Sequence, residues 1–401
     1  MSNRRRLITP PRGFGAPVSR RSVLRGASFG ALGLAGGGLL SACGTEGASQ
    51  SEASCESEDL SDSEKAVTWS NWPYYIDPTG QADATLAAFQ ESTGITVKYN
   101  NDVNDNAAFY GKVRNQLGAC ESTSRDMFTL TDWMAAKMIG LGWLQELDKA
   151  NRPNFEANLL ENLRSPSWDP ERKYSVPWQS GLTGIAYNAD EIGEVGSFED
   201  LVTRPELKGR MTLLSEMHDT MLFMLLIIGA DPVDFTDDEW GTALDKLEEV
   251  KDSGQVRQFT GNEYTQDLGQ GNILACEAWS GDVLQLQLDN PAIRFVAPEE
   301  GLALWSDNSL VPNKATHKAN AEKLMDYYYD PEVAAELAAY VNYICPVVGA
   351  QDAMTKIAPD LAENVLIFPD DTLLSNTYDF MGLSAEQEQQ YQDDFARVIG
   401  A

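Results

Sequence analysis

Histidine is scarce in this 401-residue chain: His218 and His317 are the only two, and neither has a second histidine at metal-ligand spacing. After residue 42 there is no G-x-S-x-G elbow, no H-E-x-x-H, no phosphate-binding G-x-x-x-x-G-K-[ST] and no dinucleotide fingerprint. Those absences remove the commonest hydrolase, metalloprotease and nucleotide-binding chemistries. Basic charge is scarce too, with 30 Lys and Arg against 61 Asp and Glu and a net charge of −31. Such a surface repels nucleic acid and anionic lipid headgroups and draws cations from a distance. Long apolar runs are missing from the body of the chain. The longest, Met221 to Ile228, is stopped by Gly229 and is too short to cross a membrane. Five cysteines are scattered, without a zinc spacing.

Residues 1–42 hold seven arginines (Arg4, Arg5, Arg6, Arg12, Arg20, Arg21, Arg25) and no acid. The twin arginine of Ser19-Arg20-Arg21-Ser22-Val23-Leu24-Arg25 precedes a Gly/Ala-rich apolar stretch ending in Leu40-Ser41-Ala42-Cys43. That ending resembles the lipobox of bacterial lipoproteins, and behind a twin-arginine leader it implies export and acylation of Cys43. Residues 1–42 are therefore expected to be a twin-arginine lipoprotein signal. Residues 44–64 carry seven acids, six serines and one bulky apolar residue, Leu60. A segment of that composition cannot bury a core, so 43–65 reads as an acidic, serine-rich tether. The remaining Cys55, Cys120, Cys276 and Cys345 can oxidise in an exported protein, with three possible pairings.

From Lys65 onward short apolar runs alternate with amphipathic segments. Strands are expected at Ala66–Trp69, Ile95–Tyr99, Met127–Leu130 and 208–214, and helices at 82–93 (closed by Gly94), 107–117, 221–228, 237–251 and 319–330. This alternation predicts an α/β fold with helices flanking mostly parallel sheets. Tyr174-Ser175-Val176-Pro177 leads into a strand interrupted by Gly181 and Gly184, a candidate crossing between two halves. The run Tyr327-Tyr328-Tyr329 fits packing better than iron ligation. At this length two domains, or a two-lobed body, are expected.

An aromatic beside an acid or polar residue recurs where strands should end. The instances are Trp72, Tyr74, Tyr75 and Asp77; Thr131, Asp132 and Trp133; Glu216 and Asp219; Trp279; and Trp305 with Asp307. Residues two apart on a strand share a face, so Trp305 and Asp307 point the same way. In open α/β sheets ligands sit at the carboxyl ends of strands. Glu216 and Asp219 share a face if a helical turn forms there; Asp219 can alternatively cap the helix that follows.

The order of these pieces resembles the spermidine/putrescine-binding proteins of ABC importers, over residues 66 to about 350. The family's N-W-x-x-Y is matched by Asn71, Trp72 and Tyr75, its Y-S-I-P by Tyr174 to Pro177, and its acid-x-x-acid by Glu216 and Asp219. Its later tryptophan is matched by Trp279, and its W-x-D-S-L-x-x-P by Trp305, Asp307, Ser309, Leu310 and Pro312, with Asn308 inserted. The resemblance implies a type II, Venus-flytrap periplasmic-binding-protein fold with hinge strands. Lobe one is expected at 66–181 plus 307–351 and lobe two at 182–306 plus 352–401. It implies a monomer without enzymatic activity or cofactor, capturing a polyamine and handing it to an ABC permease and ATPase. The ligand-binding set is Trp72, Tyr74, Tyr75, Asp77, Thr131, Trp133, Glu216, Asp219, Trp279, Trp305 and Asp307. Tyr74 stands where the family usually has an acid, with Asp77 or Asp132 as replacements, and Asn376–Gly382 lacks the family's glutamine contact. A neutral solute such as a sugar, and a secreted carboxylate-pair hydrolase, are the alternatives.

Overall fold

The computed structural model describes residues 55, 57–78 and 84–401. Arg20, Arg21 and Cys43 lie outside the described residues.

One mixed sheet organises the chain. Its strands are β1 (Ala66–Asn71), β2 (Thr96–Asn101), β3 (Met127–Thr131), β4 (Ser175–Asn188), β5 (Met211–Leu214), β6 (Val256–Thr260), β7 (Ala275–Trp279), β8 (Ile293–Val296), β9 (Leu302–Leu310) and β10 (Thr377–Asp379). The order is β2-β1-β3-β9-β4-β7-β5-β6, with β10 on β9 and β8 on β4. The triplets β2-β1-β3 and β7-β5-β6 are internally parallel, and each carries helices across its faces as parallel strands require. Between them runs the antiparallel pair β4–β9. The start of β4 (Ser175–Pro177) pairs with Asn308–Leu310, and the same half of β9 pairs with β3; Thr183–Tyr187 pairs with β7. Two long strands thus join two arms of sheet.

Both halves of β4 are buried along all of its length. Its glycines do not break it. A Cβ on Gly181 would overlap the Trp305 indole, and one on Gly184 would sit 2.7 Å from the Val296 carbonyl. Glycine here permits close approach. Other expectations shift at the edges. The first helix spans Thr85–Thr93, closed by Gly94 in the left-handed region (φ 70°). The strand expected from 208 begins at Met211, after a left-handed turn at Gly209 (φ 67°). The helix expected from 221 begins at Met217 and ends at Ile227. Tyr328 and Tyr329 are buried: the Tyr329 hydroxyl donates to the Pro177 carbonyl at 2.6 Å, and Tyr328 meets Trp178 edge-on.

The segment read as tether differs more. Residues 57–65 lie against the body. The helix Lys318–Tyr327 has His317 at its N-cap, which supplies no side-chain cap. Asp59 Oδ2 accepts from the Ala319 amide (3.1 Å) and Ser61 Oγ from the Asn320 amide (3.1 Å), satisfying two otherwise orphaned donors. The Leu60 amide donates to the Thr316 carbonyl, and His317 bridges Glu64 and Asp126 at 2.9 and 3.0 Å. Polar residues dock this segment through hydrogen bonds, so its lack of apolar side chains did not keep it off the body. Cys55 is disulfide-bonded to Cys120, while Cys276 and Cys345 are free and buried.

A crosslink spanning 65 residues limits the freedom of the unfolded chain. Replacing Cys55 and Cys120 together by serine should lower the unfolding free energy by about 2–4 kcal/mol. Denaturant titration checks this; an unchanged transition midpoint would show that the segment adds nothing to the body.

Candidate functional site

The ends of β1, β3, β5, β6 and β7 converge, and the chain leaving each one lines a shared cavity. Trp72, Pro73 and Tyr75 follow β1, and Thr131 ends β3. Glu216 and Asp219 lie just past β5, Asn262 just past β6, and Trp279 ends β7. Trp305 and Asp307 come from β9, Asn106 from the start of the helix Asn106–Gly118, Tyr343 from beyond the helix Pro331–Val341, and Phe380 from beyond β10. Among the described residues, no Lys, Arg or His is in the lining.

Five of these rings touch in sequence. Trp72 meets Trp279 (centroids 5.8 Å), Trp279 meets Trp305 (6.3 Å), Trp305 meets Tyr343 (5.8 Å) and Tyr343 meets Tyr75 (4.9 Å), mostly edge-on. Edge-to-face contact is favoured because the positive rim of one ring meets the negative face of the next. All five rings line the cavity, and a cation over an aromatic face is attracted to it.

Three carboxylates enter this wall, each held through one oxygen. Thr131 donates its hydroxyl to Asp307 Oδ1 at 2.8 Å. The Thr183 hydroxyl and the Trp279 indole N–H (3.2 Å) both donate to Asp219 Oδ1, and the Trp305 N–H donates to the same Thr183 oxygen at 2.9 Å. Asp219 therefore orients two indoles. Glu216 Oε1 accepts from the backbone N–H (2.6 Å) and the side-chain amide (3.0 Å) of Asn106, at the first turn of the facing helix. The helix containing Asp219 has Glu216 at its N-cap position, and the Asp219 carboxylate bonds to Thr183 and Trp279; it is not the cap.

Burial makes these acids hard to ionise, and the one cationic neighbour, His218 beside Asp219, only partly offsets it. Burial pushes Asp307 up to about 7, against the lowering influence of the Thr131 hydrogen bond and the nearby Tyr75 hydroxyl, and Asp219 adds repulsion. Burial pushes Asp219 up to about 6, opposed by Thr183 and Trp279. Glu216 is driven well above the usual range by burial, then by the charges of Asp105 and Asp219.

Eight expected residues meet at the cavity: Trp72, Tyr75, Thr131, Glu216, Asp219, Trp279, Trp305 and Asp307. Three do not. Tyr74 is 45% exposed, turned away by a left-handed backbone (φ 57°). Asp77 accepts the Thr85 amide (2.6 Å) and hydroxyl (2.5 Å), serving the start of the helix Thr85–Thr93. Trp133 stacks on His218 (4.5 Å), whose Nε2 lies 3.1 Å from Glu388 Oε2. Asp132, the other candidate replacement acid, accepts from the Asn308 amide at 3.3 Å and is not in the lining either. Pro73, Asn106, Asn262, Tyr343 and Phe380 were not anticipated. Asn106, Asn262 and Tyr343 sit in no motif; Phe380 falls in the stretch where a contact was sought and a glutamine was missing.

The sequence profile of the bacterial extracellular solute-binding proteins matches residues 84–368. Among curated relatives, the spermidine/putrescine-binding periplasmic protein of Escherichia coli K12 is 25% identical over 336 residues, covering 82% of this chain and 92% of its own. The putrescine-binding periplasmic protein PotF of the same organism is 28% identical over 333 residues, covering 77% and 85%. In three dimensions the chain is similar to the spermidine/putrescine ABC transporter substrate-binding protein PotD of Streptococcus pneumoniae. That comparison has a TM-score of 0.66, 25% identity, and coverage of 84% of this chain and 98% of the other. The two-lobed plan of such binding proteins corresponds to the two arms of sheet.

A carboxyl whose folded-state pKa is raised favours folding below its unfolded value and loses that contribution as pH rises through the folded value. The ligand-free protein should therefore melt higher near pH 5 than near pH 8, from Asp219 and Asp307 alone. Asp307→Asn should flatten part of that slope. Thermal melts of both proteins across this range check it; parallel slopes would mean that Asp307 does not titrate there.

Proposed function

The chain belongs to the bacterial extracellular solute-binding protein family, and from that premise we propose that it captures a small organic polycation of the putrescine/spermidine class for import by an ABC transporter. The observation that carries this reading is the set of three buried carboxylates inside a wall of aromatic rings in which, among the described residues, there is no basic side chain. Stripping water from an ammonium costs several kcal/mol unless an anion meets it. Asp307, Asp219 and Glu216 each have an oxygen beyond the one the protein holds, and the rings cover the alkyl chain while adding about 0.5–2 kcal/mol per well-placed cation-π contact. Relatives named for spermidine and putrescine binding agree with this chemistry.

Closure would occur between lobes at 66–181 plus 307–351 and at 182–306 plus 352–401. The switch of partners midway along β4 and β9 supports those borders. The leader pattern and Cys43 support export and a lipid anchor on the outer face of the cytoplasmic membrane, with the protein acting as a monomer that docks on its permease.

Isothermal calorimetry with putrescine and spermidine should give micromolar dissociation constants, about −8 kcal/mol. Asp307→Ala should weaken binding by well over tenfold, because it leaves a buried ammonium unpaired. No heat with either amine at millimolar concentration, or heat with a neutral sugar that survives Asp307→Asn and Glu216→Gln, would sink the reading.

A further inference from the structure

Asn262 lines the cavity and is only 5% exposed, and its surroundings fix which way its amide faces. Its backbone N–H donates to Asn104 Oδ1 at 3.3 Å and its carbonyl accepts the Thr265 hydroxyl at 2.8 Å. Its side-chain nitrogen donates to Asp282 Oδ2 at 2.8 Å. Asp282 also receives the Tyr264 hydroxyl (2.9 Å) and the Tyr343 hydroxyl (2.7 Å), and the Tyr264 oxygen is itself engaged by the Trp279 amide at 3.0 Å. Asp282 accepts from both tyrosine hydroxyls and serves as the acceptor of this network, so the end of Asn262 that faces it is the nitrogen. Its Oδ1 then points away, buried, and accepts no hydrogen bond among the described residues.

We propose that Asn262 Oδ1 accepts an N–H from the bound cation, and that this makes the site select ammonium groups bearing N–H over quaternary ammonium groups of the same length and charge. The inference rests on the amine reading of the cavity. An aromatic wall by itself welcomes a quaternary ammonium at least as well as a primary one. Discrimination has to come from acceptors. A trimethylammonium group offers no donor, and its methyls would leave Asn262 Oδ1 buried and unpaired, which is the costly arrangement for a polar atom.

The test is calorimetry on the full chain with 1,4-diaminobutane and with its bis-trimethylammonium analogue. The native protein should prefer the primary diamine by about a hundredfold or more, the sum of several lost hydrogen bonds. Asn262→Ala should weaken the primary diamine about tenfold and leave the quaternary one nearly unchanged, narrowing the preference. Tyr264→Phe removes a different donor to Asp282 and does not touch the cavity, so it should lower the melting temperature and keep the preference. Equal loss for both ligands in Asn262→Ala, no loss for the primary one, or the same narrowing in Tyr264→Phe would overturn the assignment. Should the alanine variant not fold, Asn262→Ser gives the same comparison. If neither diamine binds the native protein, the amine reading fails and this inference with it; tight primary-diamine binding unaffected by Asn262→Ala sinks only the role of Asn262.

Discussion

Negative charge buried in a wall of rings is the constraint on which this structure turns. Asp307, Asp219 and Glu216 stand within one aromatic wall, and among the described residues no lysine, arginine or histidine lines it. A buried carboxylate is tolerated when its oxygens are hydrogen-bonded, and here the hydrogen bonds from Thr131, Thr183, Trp279 and Asn106 reach one oxygen of each side chain that lines the cavity. The cavity is therefore most stable when protonated or when filled by a cation. Affinity for a cation and the electrostatic cost of the unfilled site are two descriptions of the same arrangement.

The sheet explains how such groups come to share one place. The two parallel triplets run in opposite directions, since β3 is antiparallel to β9, β9 to β4 and β4 to β7, so their carboxyl ends approach one another at the middle of β4 and the turns after β1, β3, β5, β6 and β7 face one another. The bridge of β4 and β9 lies beneath them and contributes Trp305 and Asp307 directly. Gly181 lets the Trp305 ring settle against β4, and Gly281 does the same for Tyr343, since a Cβ at either position would overlap the ring. Glu216 adds a tie across the gap, because its partner Asn106 begins a helix on the opposite arm.

Much of this was legible in the chain. Alternating short strands and amphipathic helices marked an α/β body, and acids paired with aromatics at strand ends marked most of the cavity. What escaped has physical reasons. Asn106, Asn262 and Tyr343 lie alone in turns, and only the crossing of strands brings them to the cavity. Asp77 looked like a ligand because its partner, Thr85, lies eight positions on, in the first helix, and the sequence does not show that the chain folds back to bring the two together. Trp133 sits beside Thr131 in sequence, yet the helix Asp132–Gly140 turns its ring onto His218. The docking of residues 57–65 was invisible for another reason: composition rules weigh apolar area, and this segment is held by Asp59, Ser61 and Glu64 acting as hydrogen-bond acceptors.

The disulfide between Cys55 and Cys120 also sets a load path. Cys120 lies two residues beyond Gly118, the last residue of the helix that Asn106 begins beside Glu216. Thirteen residues of helix make a strut of about 20 Å. Whatever pulls on the chain ahead of Cys55 acts on the far end of that strut, and the ligand seat occupies the near end. A force arriving at Cys55 is therefore carried by the crosslink to the end of the strut away from the cavity, bypassing the hydrogen bonds that dock residues 57–65.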